Sequence, residues 1–498
     1  MNWEATEHPA QLEDLKASQA STFRLGVNLN PEAVSEPQAQ AYATKNRIQD
    51  NDQPIHSWYR FVLGYPPHLV REYLERLDAD PQRDCVFDPF CGTATTPVEA
   101  RLHGFQTLSC DANPMSVLAA RAKLCWDIDL AGVRARLREI LVLAVSYFQN
   151  VGLAPVPEAS HQLPLFPSPT MNVHAPPPPA GENEFRPEEV LAPGAFALIP
   201  RGFISRKPML RVLALRSAID TVEPETSIRD FLMLALANTI VLSAGNVGFG
   251  PEVYRLAPRD DADVLGVFVN TVEGMIFDLE RLLKGTRPPF PPSHVLQDDA
   301  RTLTSIKDSP PVGITITSPP YPNEKDYTRT TRLESVLLGL IRTKKDLRAV
   351  KSMLLRSNTR NVFSRDDDDR CVTDIRSVTH LAEQVEKRRV QLGKTSGFER
   401  LYPRVVLLYF GGMYRHLASL LPKLRRGAKC AYVLGDQMSY LRVHIRTASV
   451  LADIATRLGY HVEGIELWRT RRSTATGLDL EENVLIMQAP KAKRQRND

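Results

Sequence analysis

Apolar runs and amphipathic stretches alternate along residues 53–135 in the order expected of an α/β unit. A helix is predicted to begin at Pro67, because five apolar positions share one face: Leu69, Val70, Tyr73, Leu74 and Leu77. The run "CVFDPF" then predicts a buried strand, followed by a tight turn and by a helix in "PVEARLHG" from Pro97 to Gly104. "TLSCDANP" predicts a second strand that ends in an acid, and "MSVLAARAKL" a second helix. Strand, tight turn, helix and strand within about 30 residues form half of a parallel nucleotide-binding unit.

The pattern breaks in the middle of the chain and resumes near its end. Residues 151–200 hold 12 of the 38 prolines and predict a linker, whereas long apolar stretches after residue 205 predict helices. Strands recur in "SHVLQ" and "VGITIT", and then in "KCAYVLGD", "HVEGIELW" and "NVLIMQ". The predicted division is an N-terminal arm at 1–52, core segments at 53–135, 291–335 and 401–488, a Pro-rich linker at 136–204, a helical insertion at 205–290, a charged variable region at 336–400 and a basic tail at 489–498. The predicted fold is α/β, a Rossmann-like core of seven strands.

Composition narrows the class of protein only a little. The 498 residues carry a formal charge of +4, which suits a nucleic-acid partner but is too weak to argue for one alone. Six cysteines without a CxxC pair fit neither a disulfide framework nor a zinc cluster, so no metal site is predicted. No apolar run approaches the roughly 20 residues of a membrane span, and the polar N-terminus does not resemble a signal peptide. We therefore expect a cytoplasmic protein without a membrane partner.

The turn in "FDPFCGTATT" and the acid that follows it suggest a nucleoside site. The turn is neither GxGxxG nor a Walker P-loop, so a phosphate grip is poorly supported, and on its own it is as consistent with an ordinary strand-to-helix turn. Asp111 lies 23 residues after Asp88, at a strand tip where such folds place an acid on a ribose diol. An adenosine-bearing ligand without an essential phosphate contact, such as S-adenosylmethionine, suits both features. Asp298 and Asp299 end a later strand and are candidates for an adenine amino group, although an acidic pair there is more often a helix N-cap.

A second motif, "TSPPY", predicts a rigid loop at the carboxyl end of a strand. Two prolines end the strand and hold an extended loop, which offers the Ser318 oxygen, the Pro319 carbonyl and the Tyr321 ring. Two acceptors gripping an exocyclic amino group would favour a nucleophilic nitrogen, and an aromatic ring would stack on a flipped base. The alternative is a Ser-Pro-Pro turn without a chemical role.

Together these motifs resemble the S-adenosylmethionine-dependent amino-methyltransferases of DNA, which act on cytosine N4 or adenine N6. "DPFCGTATT" resembles their cofactor motif, "CDANP" the following strand end, "DDARTL" the adenine-contacting segment and "TSPPYPNEKDY" the catalytic motif, while "IHSWYRFVLGYPPHLVREYL" is similar to the segment over the methionine end. The resemblance implies four catalytic residues, Ser318, Pro319, Pro320 and Tyr321. It implies these cofactor-binding residues: Pro67, Asp88, Pro89, Phe90, Cys91, Gly92, Thr93, Thr95, Thr96, Asp111, Ala112 and Asp299.

Within that family a motif beginning with serine goes mostly with cytosine N4, which makes adenine N6 the rival reaction. The resemblance implies double-stranded DNA as a partner, with a cognate restriction endonuclease or other defence protein as a further one, and the 336–400 region as a candidate for target recognition. Basic candidates for DNA contact lie beyond the loop: Arg329, Arg332, Lys344 and Lys345. Each is as readily part of a solvated helix face, and the run Asp366–Asp369 is expected to be solvated as well.

One departure from the family's cofactor motif favours a function of another class. Ala94 stands where the family has a second glycine, and a methyl group there costs cofactor affinity if the position needs a positive φ. With the long insertion, it is the support for a non-catalytic DNA-binding protein that retains the fold. RNA as substrate has no positive motif, and the missing GxGxxG disfavours a dehydrogenase.

Overall fold

The structure, a computed structural model, describes residues 48–59, 64–154, 185–223, 226–249, 253–285, 289–306, 310–322, 326–438, 440–472 and 477–491. Nearly all of the predicted arm, residues 155–184 of the predicted linker and most of the basic tail lie outside the described residues.

The first part of the chain forms the predicted α/β unit. Its elements are helix α1 (Pro67–Arg76), strand β1 (Cys85–Asp88), helix α2 (Thr95–Leu102), strand β2 (Gln106–Asp111) and helix α3 (Pro114–Lys123). Helix α2 begins at Thr95, two residues before the predicted start at Pro97. Proline is accepted there because the N–H groups of the first turn have no partner within a helix.

A long helix replaces the first part of the predicted linker. Helix α4 (Leu130–Asn150) crosses the boundary that we expected at residue 136, and Asp129 caps its first turn. Its buried face includes Val133, Leu137 and Ile140, at helical spacing. The prediction of a linker at residues 136–150 was therefore wrong, because the prolines that suggested it begin only at Pro155. Two short helices, α5 (Pro187–Val190) and α6 (Pro193–Phe196), follow the undescribed stretch.

Residues 205–290 contain the predicted helices. They are helices α7 (Arg206–Val222), α8 (Thr226–Thr239) and α9 (Val264–Gly285), with a small hairpin of β3 (Val247–Phe249) and β4 (Val253–Arg255) between α8 and α9 in the chain. Residues 227–244 are apolar and long enough to cross a membrane by length and composition alone, although 67% of this stretch is buried inside the protein. These helices share one hydrophobic core with α3 and α4.

The remaining elements complete the sheet and its covering layers. In chain order they are β5 (Ser293–Gln297), β6 (Val312–Thr317), α10 (Tyr327–Thr330), α11 (Arg332–Leu337), α12 (Lys344–Met353), α13 (Arg376–Gln391), α14 (Gly397–Leu420), β7 (Leu424–Gly435), α15 (Thr447–Arg457), β8 (His461–Arg472) and β9 (Asp479–Gln488).

Seven of the strands form one sheet in the order β5-β2-β1-β6-β7-β9-β8, so the predicted seven-stranded Rossmann-like fold is confirmed. Every described strand pair in it is parallel except the two made by β9. Successive residues of a strand face opposite sides, so Phe87 packs with α14 and α15 while Val86 packs with α1 and α2. The chain moves outwards from β1 through β2 to β5 and then returns to place β6 on the other side of β1. This reversal opens a crevice at the carboxyl ends of β1 and β6, where such sheets bind ligands.

Candidate functional site

Hydrogen bonds join the two strands at the reversal. The Asp88 carboxylate, at the end of β1, accepts from the Thr317 hydroxyl at the end of β6 (2.6 Å) and from the Tyr65 hydroxyl (3.0 Å). Tyr65 also bonds Thr96 on α2, and the Phe90 amide donates to Asp88 at 3.1 Å. Asp88 therefore fixes the turn after β1 relative to the loop after β6.

The turn between β1 and α2 is anchored to the acid at the end of β2. Asp111 accepts from the Gly92 amide (3.0 Å) and from the Asn113 amide (2.8 Å). Gly92 has a φ of 49°, and Ala94 a φ of 71°. The position of the family's second glycine thus has the left-handed conformation, which costs an alanine about 1 kcal/mol or more. The Ala94 methyl group is fully buried in the helical core, and its burial offsets about 0.8 kcal/mol of that cost.

A cavity of about 870 Å³, including its opening to solvent, lies between this turn and the ends of β2, β5 and β6. Predicted residues that line it are Pro89, Phe90, Cys91, Gly92, Thr93, Thr95, Asp111, Ala112, Asp299, Ser318 and Pro320. Asp88 and Thr96 lie behind the lining and hold Tyr65, which does line it. Pro67 is not part of the lining, since it begins α1; the neighbouring Gly64 and Tyr65 occupy the wall instead.

The chemistry of the cavity fits S-adenosylmethionine better than a phosphate-bearing nucleotide. Asp111 and Asp299 supply carboxylates, while Phe90, Leu354 and Leu355 supply apolar wall. The cationic side chain in the lining, Arg301, is held by carboxylates: its guanidinium bonds Asp299 (3.0 and 2.7 Å) and Asp368 (2.7 Å). A cavity whose carboxylates keep unused lone pairs and whose arginine is neutralised suits a sulfonium-bearing adenosine.

The two acids after β5 have different roles. Asp298 is buried and accepts from the amides of Asp299 and Ser305, both at 2.8 Å, so it caps its own turn. Asp299 lines the cavity, and both of its carboxylate oxygens accept from Arg301. Any contact with an adenine amino group would use the remaining lone pairs of Asp299.

Cofactor affinity is expected to fall at acidic pH. Burial raises the pKa of Asp111 to about 6, against hydrogen bonds from the Asn113 and Gly92 amides, and burial likewise raises the pKa of Asp88 to about 6. Below pH 6 these carboxyls take up a proton and lose the charge that favours a cationic ligand. We expect the dissociation constant for S-adenosylmethionine, measured by calorimetry, to rise about tenfold between pH 7 and pH 5. A constant affinity over this range would contradict the assignment of Asp111.

The loop after β6 has one side on the cavity and the other on β7. The Ser318 hydroxyl donates to the Val433 carbonyl at 3.1 Å, which leaves oxygen lone pairs to accept hydrogen bonds. Ser318 and Pro320 line the cavity. The Tyr321 ring lies against Gly435 at the end of β7, and burial raises its pKa above the ordinary value, opposed by a hydrogen bond with Ser318. The loop therefore separates the cavity from the surface that carries Tyr321; residues 323–325 lie outside the described part.

A methyl group at Gly435 is expected to displace Tyr321. A Cβ atom added to Gly435 would overlap the Tyr321 ring, which is too rigid to move away locally. Gly435→Ala is therefore expected to lower the rate of methyl transfer to DNA at least tenfold while S-adenosylmethionine affinity stays within twofold of wild type. Gly464→Ala, in β8 with open space around the added carbon, is the matched control. Equal transfer rates for the two variants would refute a positioning role for Gly435.

The four predicted DNA-contacting residues lie along α10 to α12. Arg332 is half-buried and donates to the Thr328 carbonyl at 2.9 Å and to its hydroxyl at 3.1 Å, and Arg329 is partly buried. Lys344 and Lys345 are exposed at the start of α12. None of the four lines the cavity, and their contact with DNA stays a prediction.

The expectation that the acidic run is solvated was wrong. Asp366 pairs with Arg356 (2.8 Å), Asp367 with Arg415 (2.8 Å) and Asp369 with Arg404 (3.4 Å). Asp368 is buried between Arg301 (2.7 Å) and Arg415 (3.0 Å). The run thus binds arginines that lie 10 and 67 residues before it and two others on α14, and neither the spacing nor the composition of "DDDD" reveals those partners.

Two further residues that support the cavity had not been singled out. Tyr65 lines the cavity and lies in the segment that is similar to the family's segment over the methionine end of the cofactor. The resemblance could therefore have indicated Tyr65. Lys123 is buried and donates to the carbonyls of His56 (3.0 Å), Tyr59 (2.7 Å) and Thr93 (3.1 Å). It ties the cofactor turn to residues 56–59. A lysine within the mostly apolar "MSVLAARAKL" was the available hint.

Chemistry based on cysteine has no geometric support. Burial raises the pKa of Cys91 and of Cys110 well above the ordinary value, so neither is a reactive thiolate. Within the described residues no cluster of three or more His, Cys, Asp or Glu could hold a metal ion.

Comparison with known proteins relates the chain to methyltransferases. No family model matches it. It is 22% identical over 298 residues to the type II methyltransferase M.BsoBI of Geobacillus stearothermophilus, covering 58% of this chain and 54% of the relative. It is 26% identical over 170 residues to the type II methyltransferase M.AvaI of a Nostoc strain, covering 32% of this chain and 33% of the relative. To M.MvaI of Kocuria varians it is 28% identical over 89 residues, 16% of this chain and 20% of the relative.

The chain thus spans about half the length of M.BsoBI and smaller parts of the other two relatives. The sheet order and these similarities lead to the same conclusion: the protein has an α/β fold consistent with a Rossmann-like methyltransferase and is similar in sequence to type II methyltransferases.

Proposed function

We propose that the protein is a site-specific DNA methyltransferase that transfers a methyl group from S-adenosylmethionine to the N4 amino group of cytosine in duplex DNA. The observation that carries the proposal is the Ser318–Tyr321 loop beside the acid-lined cavity. Ser318 and Pro320 line that cavity, and Tyr321 lies on the other side of the loop. A base held on the Tyr321 side would present its amino group to the cavity across the loop.

The protein's own groups would prepare the amino nitrogen for attack. That nitrogen is a poor nucleophile because its lone pair is delocalised into the ring. Since the Ser318 hydroxyl donates a hydrogen bond to the Val433 carbonyl, its oxygen would accept a hydrogen bond from the amino group, and the Pro319 carbonyl would accept the second. Both contacts favour a more tetrahedral nitrogen, and Tyr321 would stack on the flipped base. The cofactor, when bound, supplies the electrophilic methyl group, and neither a metal nor a covalent enzyme intermediate is required.

Asp111 and the turn at Gly92 would hold the adenosine part of the cofactor, and the wall at Tyr65 would border its other end. The charge of the cavity supports this assignment, since its carboxylates favour a positively charged ligand.

Cytosine is preferred over adenine because the motif begins with Ser318 rather than with an aspartate. A serine hydroxyl is a neutral acceptor, and the resemblance associates it mostly with N4 methylation. Adenine N6 remains the rival target of the same loop. A restriction endonuclease and the cytoplasm are the partner and the location that this function implies.

The product identifies the base. Duplex DNA methylated by the protein would be digested to nucleosides and analysed by mass spectrometry. We expect N4-methylcytosine, with Ser318→Ala as the control that yields background only. N6-methyladenine as the sole product would overturn the choice of cytosine while leaving a DNA methyltransferase.

A further inference from the structure

Helices α13 and α14 form a hairpin whose far end contains no buried residue. The hairpin tip, residues 386–404, joins the end of α13 to the start of α14. The last buried residue of α13 is Val385, and the first of α14 is Val405. Its turn is well defined: Gly393 has a φ of 62°, and Ser396 and Glu399 form a capping box.

The hairpin tip extends past the edge of the sheet that carries the candidate active site. Near residues 412–416, α14 is level with the cavity: Gly412 lies against Leu355, and His416 is 2.7 Å from the Ala300 carbonyl. Both Leu355 and Ala300 line the cavity. Helix α14 ends at Leu420, just before β7 begins, so it runs against the strands and its first residues point beyond their carboxyl ends. Ser396 lies 16 residues before Gly412, or about 24 Å along a helix axis.

Most of the exposed side chains of the hairpin tip are basic or apolar. The tip holds six basic side chains against the two partly buried carboxylates Glu386 and Glu399: Lys387, Arg388, Arg389, Lys394, Arg400 and Arg404.

 Arg389 pairs with Glu386, and Lys394 with Glu399 at 3.4 Å. Lys387, Arg388 and Arg400 are exposed and form no ion pair within the part of the chain that the structure describes.

Between these cations lie large apolar side chains that the protein itself does not cover. Val390 is 62% exposed, Leu392 43% and Phe398 61%. The acidic run at residues 366–369 pairs with Arg404 of the tip, but its other carboxylates pair with arginines outside the tip, so the charges of Lys387, Arg388 and Arg400 are not cancelled by it. The surface is thus both cationic and apolar, and it lies beyond the carboxyl ends of the strands, the edge of the sheet at which Ser318 is found.

We propose that the hairpin tip grips duplex DNA beside the target base, with Arg388 and Arg400 on backbone phosphates and Phe398 against the groove. This inference rests on the proposed function, because a polyanionic duplex is the partner whose charge complements the tip. Each phosphate contact by a cation releases a counterion, so binding through the tip would depend steeply on salt.

A pair of matched charge reversals tests the inference in the full-length protein. The hairpin variant combines Arg388→Glu and Arg400→Glu. The control variant combines Arg426→Glu and Lys491→Glu, and so reverses two exposed cations near the amino edge of the sheet. Affinity for a labelled duplex is measured by fluorescence anisotropy over a range of salt. We expect the hairpin variant to lose at least tenfold in affinity and its slope of log K against log salt to decrease by about 2, with unchanged affinity for S-adenosylmethionine. Phe398→Ala is expected to weaken duplex binding severalfold without changing the salt slope.

The outcomes separate the two proposals. If the wild type methylates DNA and the hairpin variant binds it as well as the control variant, the hairpin inference is overturned and the proposed function stands. If the wild type neither binds nor methylates duplex DNA, both are overturned. A change in oligomeric state on size-exclusion chromatography, with unchanged DNA affinity, would assign the tip to a second copy of the chain and also overturn the inference.

Discussion

Asp111→Ala is expected to weaken S-adenosylmethionine binding at least 100-fold. The carboxylate holds the Gly92 and Asn113 amides and lies in the cavity where such folds bind a ribose diol. Hydrogen bonds to a charged group contribute about 1.5–3 kcal/mol each. The loss of the two bonds from the ribose hydroxyls to this carboxylate therefore corresponds to about 100-fold or more in affinity. Calorimetric titration of the variant with the cofactor measures the effect.

Asp374→Ala is the control for this substitution, because Asp374 is exposed in the charged region. Its affinity for the cofactor is expected to equal that of the wild type. If Asp111→Ala bound S-adenosylmethionine within threefold of the control, the cavity would not be the cofactor site. Circular dichroism of both variants establishes that the fold is retained.

Arg301→Ala is expected to lower the free energy of unfolding by about 3 kcal/mol. Arg301 is largely buried and bridges Asp299 and Asp368, and it also donates to the Ser352 carbonyl at 2.6 Å. Removing one member of a buried ion-pair network leaves charges without compensation, at a cost of about 3–5 kcal/mol. The lower value applies because Arg415 still pairs with Asp368. Urea denaturation followed by fluorescence measures the change.

Arg457→Ala is the matched control, since its pair with Asp453 is exposed and spans one helical turn. Its effect is expected to stay below about 1 kcal/mol. Equal stabilities of the two variants would show that the Arg301 network contributes little. Because Asp299 lines the cavity, Arg301→Ala is also expected to weaken cofactor binding, whereas Arg457→Ala is not.

Features carried by neighbouring residues could be predicted from the sequence. The strands around Asp88 and Asp111 and the loop at Ser318 each have a local pattern, because apolar runs, small residues and prolines act on the backbone next to them. The seven-stranded sheet followed from the order of these patterns. From the sequence, Ala94 was expected to cost cofactor affinity only if its position needs a positive φ. Its φ of 71° shows that the position has this conformation.

Features that depend on distant residues could not be predicted. Arg301 and Asp368 are 67 residues apart, and Lys123 reaches carbonyls up to 67 residues away, so no local pattern pairs them. Tertiary packing decides such contacts. Helix α4 was not predicted for a different reason. The predicted linker was drawn from the prolines after residue 154 and was extended too far back, over apolar residues that have helical spacing.

The central claim is that this chain moves a methyl group from S-adenosylmethionine to DNA through the loop at Ser318. Its most direct test is the transfer of tritium from labelled S-adenosylmethionine to unmethylated duplex DNA, measured for the wild type and for Ser318→Ala with cofactor binding verified for both. We expect transfer by the wild type and at least about 100-fold less by the variant, by analogy with the loss of one preorganised hydrogen-bonding group. Cofactor binding without transfer to DNA from any source, or equal transfer by the two proteins, would contradict the claim.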